Sequence, residues 1–291
     1  MKPLWKGFLF VTLALLASFL IWGGALYSIG YFDAESEEYV RTVEVGSAKE
    51  LTVDNDFGFA TVRAENRSDI QIEVYKWTLF GREELDKADI DITTGTVIRV
   101  AVDSEDGASL VIIDLTIEVP MTLNVTEVRT EAGRAEVVGT AGKLSISCSA
   151  GNVKVIDVGR VEYAKSTTGW VYMRSCGDIT RVQTGTGAID VLDGGTLVEA
   201  STDTGSVVVH VKDIPPDGTR IATETAPVVL YVDRNVTADF NMRTDTGRIE
   251  ITGMEHVFTN SEETHKAGRI NGGGPLIELT TVTGDIALRG E

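Results

Sequence analysis

The chain has 291 residues, of which 44 are acidic and 26 basic, for a net charge of −18. Such a surface repels phosphate backbones and anionic headgroups, which excludes nucleic acid as a natural partner and leaves cations and basic surfaces acceptable. Two cysteines, Cys148 and Cys176, are too few for a disulfide framework, so the fold has to rest on a buried core, for which the length is ample.

The first predicted element is a helix. From Gly7 to Phe32 there are 26 residues without a charge. At ~1.5 Å per residue the run reaches roughly 39 Å, enough to cross a ~30 Å hydrocarbon core. It exceeds the apolar region of a cleaved signal peptide, and no good Ala-x-Ala site follows it. Lys2 and Lys6 precede it, and Asp33, Glu35, Glu37 and Glu38 follow. The positive-inside bias then leaves the N-terminus in the cytoplasm and the rest outside. The expectation is a single-pass cell-membrane protein: residues 1–33 are the cytoplasmic start and transmembrane anchor, and the C-terminal domain is extracellular.

Residues 34–125 read as an irregular β region. "DIQIEVYKW" and "TVIRVAV" have strand alternation, and "LVIIDLTIEV" is a longer apolar strand ended by Pro120. "DFGFATVRA", at 56–64, resembles the motif of the following repeats.

Residues 126–291 are an array. Glycines recur every 18 residues at Gly133, Gly151, Gly169, Gly187 and Gly205. The step then becomes 21, reaching Ala226, Gly247 and Gly268, with a last step of 16 to Gly284. Two and four residues after each corner stand aliphatics such as Val171 and Met173 or Ile189 and Val191, with Tyr172 and Asp190 between them. That is a strand with alternate residues inside. A second short strand follows another glycine, as at Gly159, Gly177 and Gly195. Such a unit cannot bury its own apolar side, but stacked units can. The Thr three residues before the corner, as in Thr184, Thr202 and Thr244, forms a column of hydroxyls along the stack; His265 is the expected corner residue of the coil at Gly268. The predicted fold class is therefore all-β, a β-solenoid (β-helix-like) of about 18–21-residue coils in chain order, preceded by one N-terminal transmembrane helix. Cys148 and Cys176 fall on different sides of the coil and are expected as free thiols. The last rung is expected at Ile286 and Leu288. Its edge, Asp285 to Leu288, is either a contact surface for a second copy or partner, or is covered by "HVFTNSEETHKAGRINGGG", residues 256–274.

The repeated "TGxIxV" units, the C-terminal "INGGGPLIELTTVTGDIALRG" and a preceding all-β region closing in "IEVP" resemble the "putative adhesin" domains. These are β-solenoid domains of unknown function in bacterial and archaeal envelope proteins. The resemblance covers roughly residues 42–290. It implies a membrane-anchored, surface-exposed, non-enzymatic binding or structural module of the cell envelope. Its partners would be an envelope protein, a glycan or further copies of itself. It implies no catalytic residue.

Stacking also lines up the residue after the corner Thr, which brings Asp203, Glu224 and Asp245 onto successive rungs. Carboxylates that close repel, and a cation such as Ca²⁺ relieves them; the alternative is three splayed, solvated side chains. The three histidines, His210, His256 and His265, lack metal-ligand spacing. Gly139-Thr-Ala-Gly142-Lys143 is two residues short of a phosphate loop, and no Gly-x-Ser-x-Gly elbow occurs. No other cofactor is indicated. The alternative function is a carbohydrate-active enzyme on a solenoid, a polysaccharide lyase or hydrolase. Asn66, Asn124 and Asn235 head N-x-S/T sequons, which permit glycosylation in a suitable host.

Overall fold

The structure, a computed structural model, describes residues 34–104 and 111–291. The first part comprises β1 (Glu35–Glu44), β2 (Glu50–Glu65), β3 (Asp69–Thr78), the single-turn α1 (Arg82–Leu85), β4 (Ala88–Thr93), β5 (Val97–Ser104) and β6 (Ile112–Pro120). The repeats follow. β7 (Asn124–Val138) and β8 (Lys143–Ile156) each run through a corner. In later coils the corner separates a long strand from a short one: β9 (Arg160–Thr168) and β10 (Val171–Arg174), β11 (Asp178–Thr186) and β12 (Ile189–Gly194), β13 (Thr196–Thr204) and β14 (Val207–Val211). Then come β15 (Thr219–Thr225) and β16 (Val228–Val232), β17 (Ala238–Thr246) and β18 (Ile249–Thr252), β19 (His256–Ser261), β20 (His265–Ile270), β21 (Leu276–Thr283) and β22 (Ile286–Gly290).

The ladders assemble two walls that meet at the glycine corners. On the short-strand wall Val153, Val171, Ile189, Val207 and Val228 lie side by side in parallel register. On the long-strand wall the same holds for Val161, Ile179 and Leu197. All of these face inward and are fully buried. The period-2 pattern fixes this, because a one-residue slip would turn every aliphatic outward. A fully buried Val, Leu or Ile contributes ~1.5–3 kcal/mol. One coil supplies about four such residues, too few to offset the ordering of 18 backbone units, so the coils are stable only as a stack.

At the corner two constraints coincide. Gly187 has φ +148°, and a Cβ there would collide with the carbonyl oxygen of Gly169 in the coil before. The hydroxyls of the Thr column do not bond to one another. Each donates to the corner carbonyl of the preceding coil: Ser166 to Gly151 (2.7 Å), Thr184 to Gly169 (2.8 Å), Thr202 to Gly187 (3.1 Å) and Thr244 to Gly284 (2.9 Å). Cys148 occupies the column with only a long 3.7 Å contact from Sγ to the Gly133 oxygen. Cys148 and Cys176 are both buried free thiols.

Three parts of the expected fold class are corrected. First, the described chain is all-β apart from α1. No helix among the described residues is long and apolar enough to cross a membrane, and the stretch expected to do so, residues 7–32, lies outside them. The transmembrane helix is dropped from the fold class. Second, the coils are not a solenoid in chain order. β21 pairs with β15 on one side and β17 on the other, and β22 likewise lies between β16 and β18. The coil written last is thus inserted one level before the coil at Gly247. Third, Gly268 is not a corner. β20 runs antiparallel to β17, and β19 antiparallel to β20, so His265 leaves the corner column and bonds Asn241 and Asn260. Ile286 and Leu288 are consequently paired on both sides, and neither reading of a last edge at Asp285 to Leu288 describes the structure. The 256–274 segment does build onto an edge, but the edge is that of β17.

The inserted coil changes which outward side chains face one another. In chain order Glu224 would face Asp245, and Arg220 would face Asn241. In the observed order Glu224 faces Val282, and Arg220 reaches Glu278 at 3.4 Å. Arg289 donates to the Tyr231 hydroxyl at 3.1 Å. The returning chain is held by Asn271, whose amide donates to the oxygens of Arg234 (2.8 Å) and Val236 (2.9 Å).

At the other end β2 stacks on β7 in one long parallel ladder from Glu50 to Arg63, with Gly58 beside Gly133. The short wall continues through β6 to the antiparallel β3 and β1, and the long wall through β5 to β4. Lys76, buried on β3, donates to the oxygens of Leu85 and Ala88 (3.3 Å each), closing α1 onto the sheet. The Tyr39 hydroxyl and Arg41 both bond Asp89, tying β1 to β4.

Candidate binding surfaces

The corners form a ridge along the stack, and the sequence-predicted carboxylates stand on it. Thr202 pairs with Thr223 and Thr204 with Thr225, so Asp203 is beside Glu224. The next rung carries Val282, and only then comes Asp245. Glu224 and Asp245 are therefore two strand spacings apart, ~9.6 Å. All three are exposed. The structure brings together Asp203 and Glu224 and separates Asp245 from them. Among the described residues no group of three or more His, Cys, Asp or Glu is placed to hold a metal ion. Ca²⁺ takes 6–8 oxygens, and two exposed carboxylates on one ridge are a fragment of such a shell. Further along the ridge, burial and the nearby Glu131 and Asp54 push the Asp56 carboxyl up, against the pull of Arg129.

The same ridge carries aromatic side chains nearer β1. Phe57 and Phe59 flank Gly58 and are 46% and 45% exposed, and Trp170 is 37% exposed beside Gly169. Tyr172 packs edge-on against Trp170, centroids 6.2 Å apart. Between them the outer face is polar. Arg134 stacks on the Phe59 ring at 4.8 Å, and Lys154 bonds the largely buried Glu136 at 3.1 Å. Asn152 accepts the Trp170 backbone N–H at 3.1 Å and so fixes the turn that presents the indole. The result is a strip of exposed rings separated by charged and amide groups. One coil on, burial pushes the Asp190 carboxyl up.

In the sequence Tyr172 stood out only as an outward residue between Val171 and Met173, too little by itself for a sugar platform, and Phe57 and Phe59 were missed. The corner at Gly58 is 75 residues before Gly133, so no fixed period connects the two. The local alternation around Gly58 was the available signal.

A second row of the short wall holds His210, stacked on Tyr231 with centroids 3.9 Å apart, and Arg289, whose guanidinium lies 5.6 Å from the Tyr231 ring centre. His210 lies 3.8 Å from Glu291. His210, Tyr231 and Arg289 stand on three successive rungs, so this stack braces the short wall.

No family model and no curated protein matches the chain. Among solved structures it is similar to a putative adhesin from Parabacteroides distasonis, with 10% identity over 88% of this chain and 97% of that one and a TM-score of 0.44. A putative adhesin from Bacteroides fragilis gives 12% identity, 88% and 97% coverage and a TM-score of 0.38. A putative cell adhesion protein from Clostridium sporogenes gives 10%, 88% and 100%, with a TM-score of 0.27. The names of these structures agree with the family that the repeats resemble. At such identities and TM-scores the likeness bears on no residue, ligand or activity.

Proposed function

We propose that this protein is a surface-displayed, non-enzymatic binding module of the putative adhesin type, and that its ligand is a glycan chain of the cell envelope lying along the corner ridge. The observation that supports this reading is the set of exposed rings Phe57, Phe59 and Trp170 on one ridge, with Arg134 and Asn152 on the rungs between. Exposed rings with an apolar face and adjacent hydrogen-bonding groups suit the two faces of a sugar. Phe59 and Trp170 stand three rungs apart, with Arg134 and Asn152 on the rungs between, a separation that suits an extended polymer better than a single sugar. A lyase or hydrolase on the same scaffold would draw on Asp203 and Glu224, which stand exposed on the same ridge two and three rungs beyond Trp170.

The test is co-sedimentation of the full chain with insoluble envelope polysaccharide from its host, with assay of the supernatant for released reducing or unsaturated ends. Retention of the wild type, with loss of at least tenfold in affinity for the Phe59→Ala/Trp170→Ala double variant and no released ends, is expected. Released ends that disappear in Asp203→Asn/Glu224→Gln would replace the binding module with the enzyme.

A further inference from the structure

In "DIQIEVYKW" on β3 the residues Ile70, Ile72, Val74 and Lys76 are buried, which turns Tyr75 to the outer face of the short wall, where it is 42% exposed. Strand alternation puts Tyr75 on the same face as the rings of the corner ridge. The ladders then place it in line with two of them. Tyr75 pairs with Asp114 of β6, and Asp114 accepts the Phe59 N–H of β2 at 2.7 Å. Phe59 pairs with Arg134, and Arg134 with Asn152. Asn152 accepts the Trp170 N–H at 3.1 Å. Tyr75, Asp114, Phe59, Arg134, Asn152 and Trp170 thus stand on successive rungs and form one row across the strands.

We infer that Tyr75 is a further stacking position of this surface, and that the ligand is an uncharged polysaccharide of equatorially linked pyranoses lying across the strands from Tyr75 to Trp170. Tyr75 and Phe59 are two strand spacings apart, and Phe59 and Trp170 three, so the row spans about five spacings, ~24 Å. Pyranoses joined through equatorial bonds form a ribbon that advances by close to one strand spacing per sugar. Laid along the row, about six successive sugars meet a ring at the first, third and sixth. Axial linkages coil the chain, and a coiled glycan leaves a row of this length after a few sugars.

The groups between the rings suit sugar hydroxyls. Asp114 and Asn152 each use one side-chain oxygen on a backbone N–H. That fixes both side chains and leaves the second Asp114 oxygen and the Asn152 amide N–H groups for a ligand. Arg134 rests against the Phe59 ring at 4.8 Å, with that ring still 45% exposed. Two residues further from the corners a second row carries Glu73, Thr116 and Lys154 on the same outer face. Rings that take the apolar faces of a sugar, beside groups that bond its rim, give both contact area and orientation. The chain's net charge of −18 disfavours a uronate or sulfated glycan, which leaves an uncharged one.

Isothermal titration calorimetry of the full chain with cellohexaose, cellotetraose and maltohexaose tests it. Cellohexaose should bind at least tenfold tighter than cellotetraose, which reaches only two of the three rings, and at least tenfold tighter than the axially linked maltohexaose. Tyr75→Ala should bring cellohexaose down to the affinity of cellotetraose and leave cellotetraose itself unchanged. Tyr75→Phe, which keeps the ring, should bind like the wild type and controls for the fold. Equal binding of the two cello-oligosaccharides by the wild type, or no effect of Tyr75→Ala, overturns the role of Tyr75, and equal binding of maltohexaose overturns the ligand class. The inference rests on the glycan reading, but the two fail separately. Retention on host polysaccharide that is lost in Phe59→Ala/Trp170→Ala, with no binding of cellohexaose, refutes this inference alone; no retention and no binding refutes both.

Discussion

The middle of the stack and its far end are made of the same repeat, yet they are assembled by different rules. From Gly133 to Gly205 each coil pairs with its neighbour in the chain at an offset of 18 residues. After β16 the chain skips a level, lays down β17 and β18, turns back through the β19–β20 hairpin, and fills the skipped level with β21 and β22. The repeat specifies how a coil meets any other coil: a corner glycine under a carbonyl, a hydroxyl bonded to that carbonyl, aliphatics inward. It does not specify which coil is the neighbour. In the inserted order Arg220 pairs with Glu278 and Val282 separates Glu224 from Asp245.

An all-or-none crosslink distinguishes the inserted order from chain order. The double variant Glu224→Cys/Val282→Cys should form a disulfide under mild oxidation, because these positions are adjacent rungs ~4.8 Å apart. Glu224→Cys/Asp245→Cys should not, at ~9.6 Å. A bridge in the second pair and none in the first restores chain order. Non-reducing electrophoresis reads the result.

The next largest effect belongs to the regular middle. Gly187→Ala should lose about 3 kcal/mol or more, since it adds left-handed strain to a collision with the backbone of Gly169. Gly46→Ala, also at positive φ but with nothing near its Cβ, should lose only about 1 kcal/mol. Equal losses in denaturant unfolding would mean that backbone angle alone, and not the stacking of corners, selects glycine.

At the junction between the two regimes the corner residue is Ala226, with φ 139°. Ala226→Gly should therefore stabilise the chain, by about 1 kcal/mol after the added freedom of glycine in the unfolded state is offset. Unchanged or lower stability would show that the junction has relaxed around the methyl group.

The smallest effect is a pH dependence on the outer wall. Burial pushes the Asp190 carboxyl up, so the folded chain holds this proton to higher pH than the unfolded chain does. The resulting stability is fully present below the ordinary Asp value of ~3.9 and is lost as pH rises through the folded value. Asp190→Asn should be neutral near pH 3 and should slightly raise the melting temperature at pH 7. A rise of the same size at both pH values would assign the effect to packing.

The opening segment of the structure was legible to a different degree again. The strands β3, β5 and β6 stand where alternation placed them. The "DFGFATVRA" motif does pack as a corner, with Gly58 against Gly133, but its partner is 75 residues away and the neighbour on its other side is β6. Phe57 and Phe59 join the ridge only through that distant pairing. His265 went wrong for the opposite reason: a 21-residue step put it in the corner column, while the antiparallel turn at β20 took it out.

What the sequence determined by itself is everything that depends on contacts within a coil or on identity between coils. The glycine period, the inward aliphatics at Val153, Ile189 and Val207, and the pair of free thiols follow from alternation and from the size of a methyl group, which act locally. What only the tertiary structure decided is adjacency. Parallel strands of like sequence bond equally well in several orders, because every rung offers the same N–H and C=O groups at the same spacing. The observed order goes with a returning hairpin held by Asn271 and with the Arg220–Glu278 pair, and from it follow the separation of Asp245 from Glu224 and the exposure of β19. None of these has a period, so the repeat carries no trace of them.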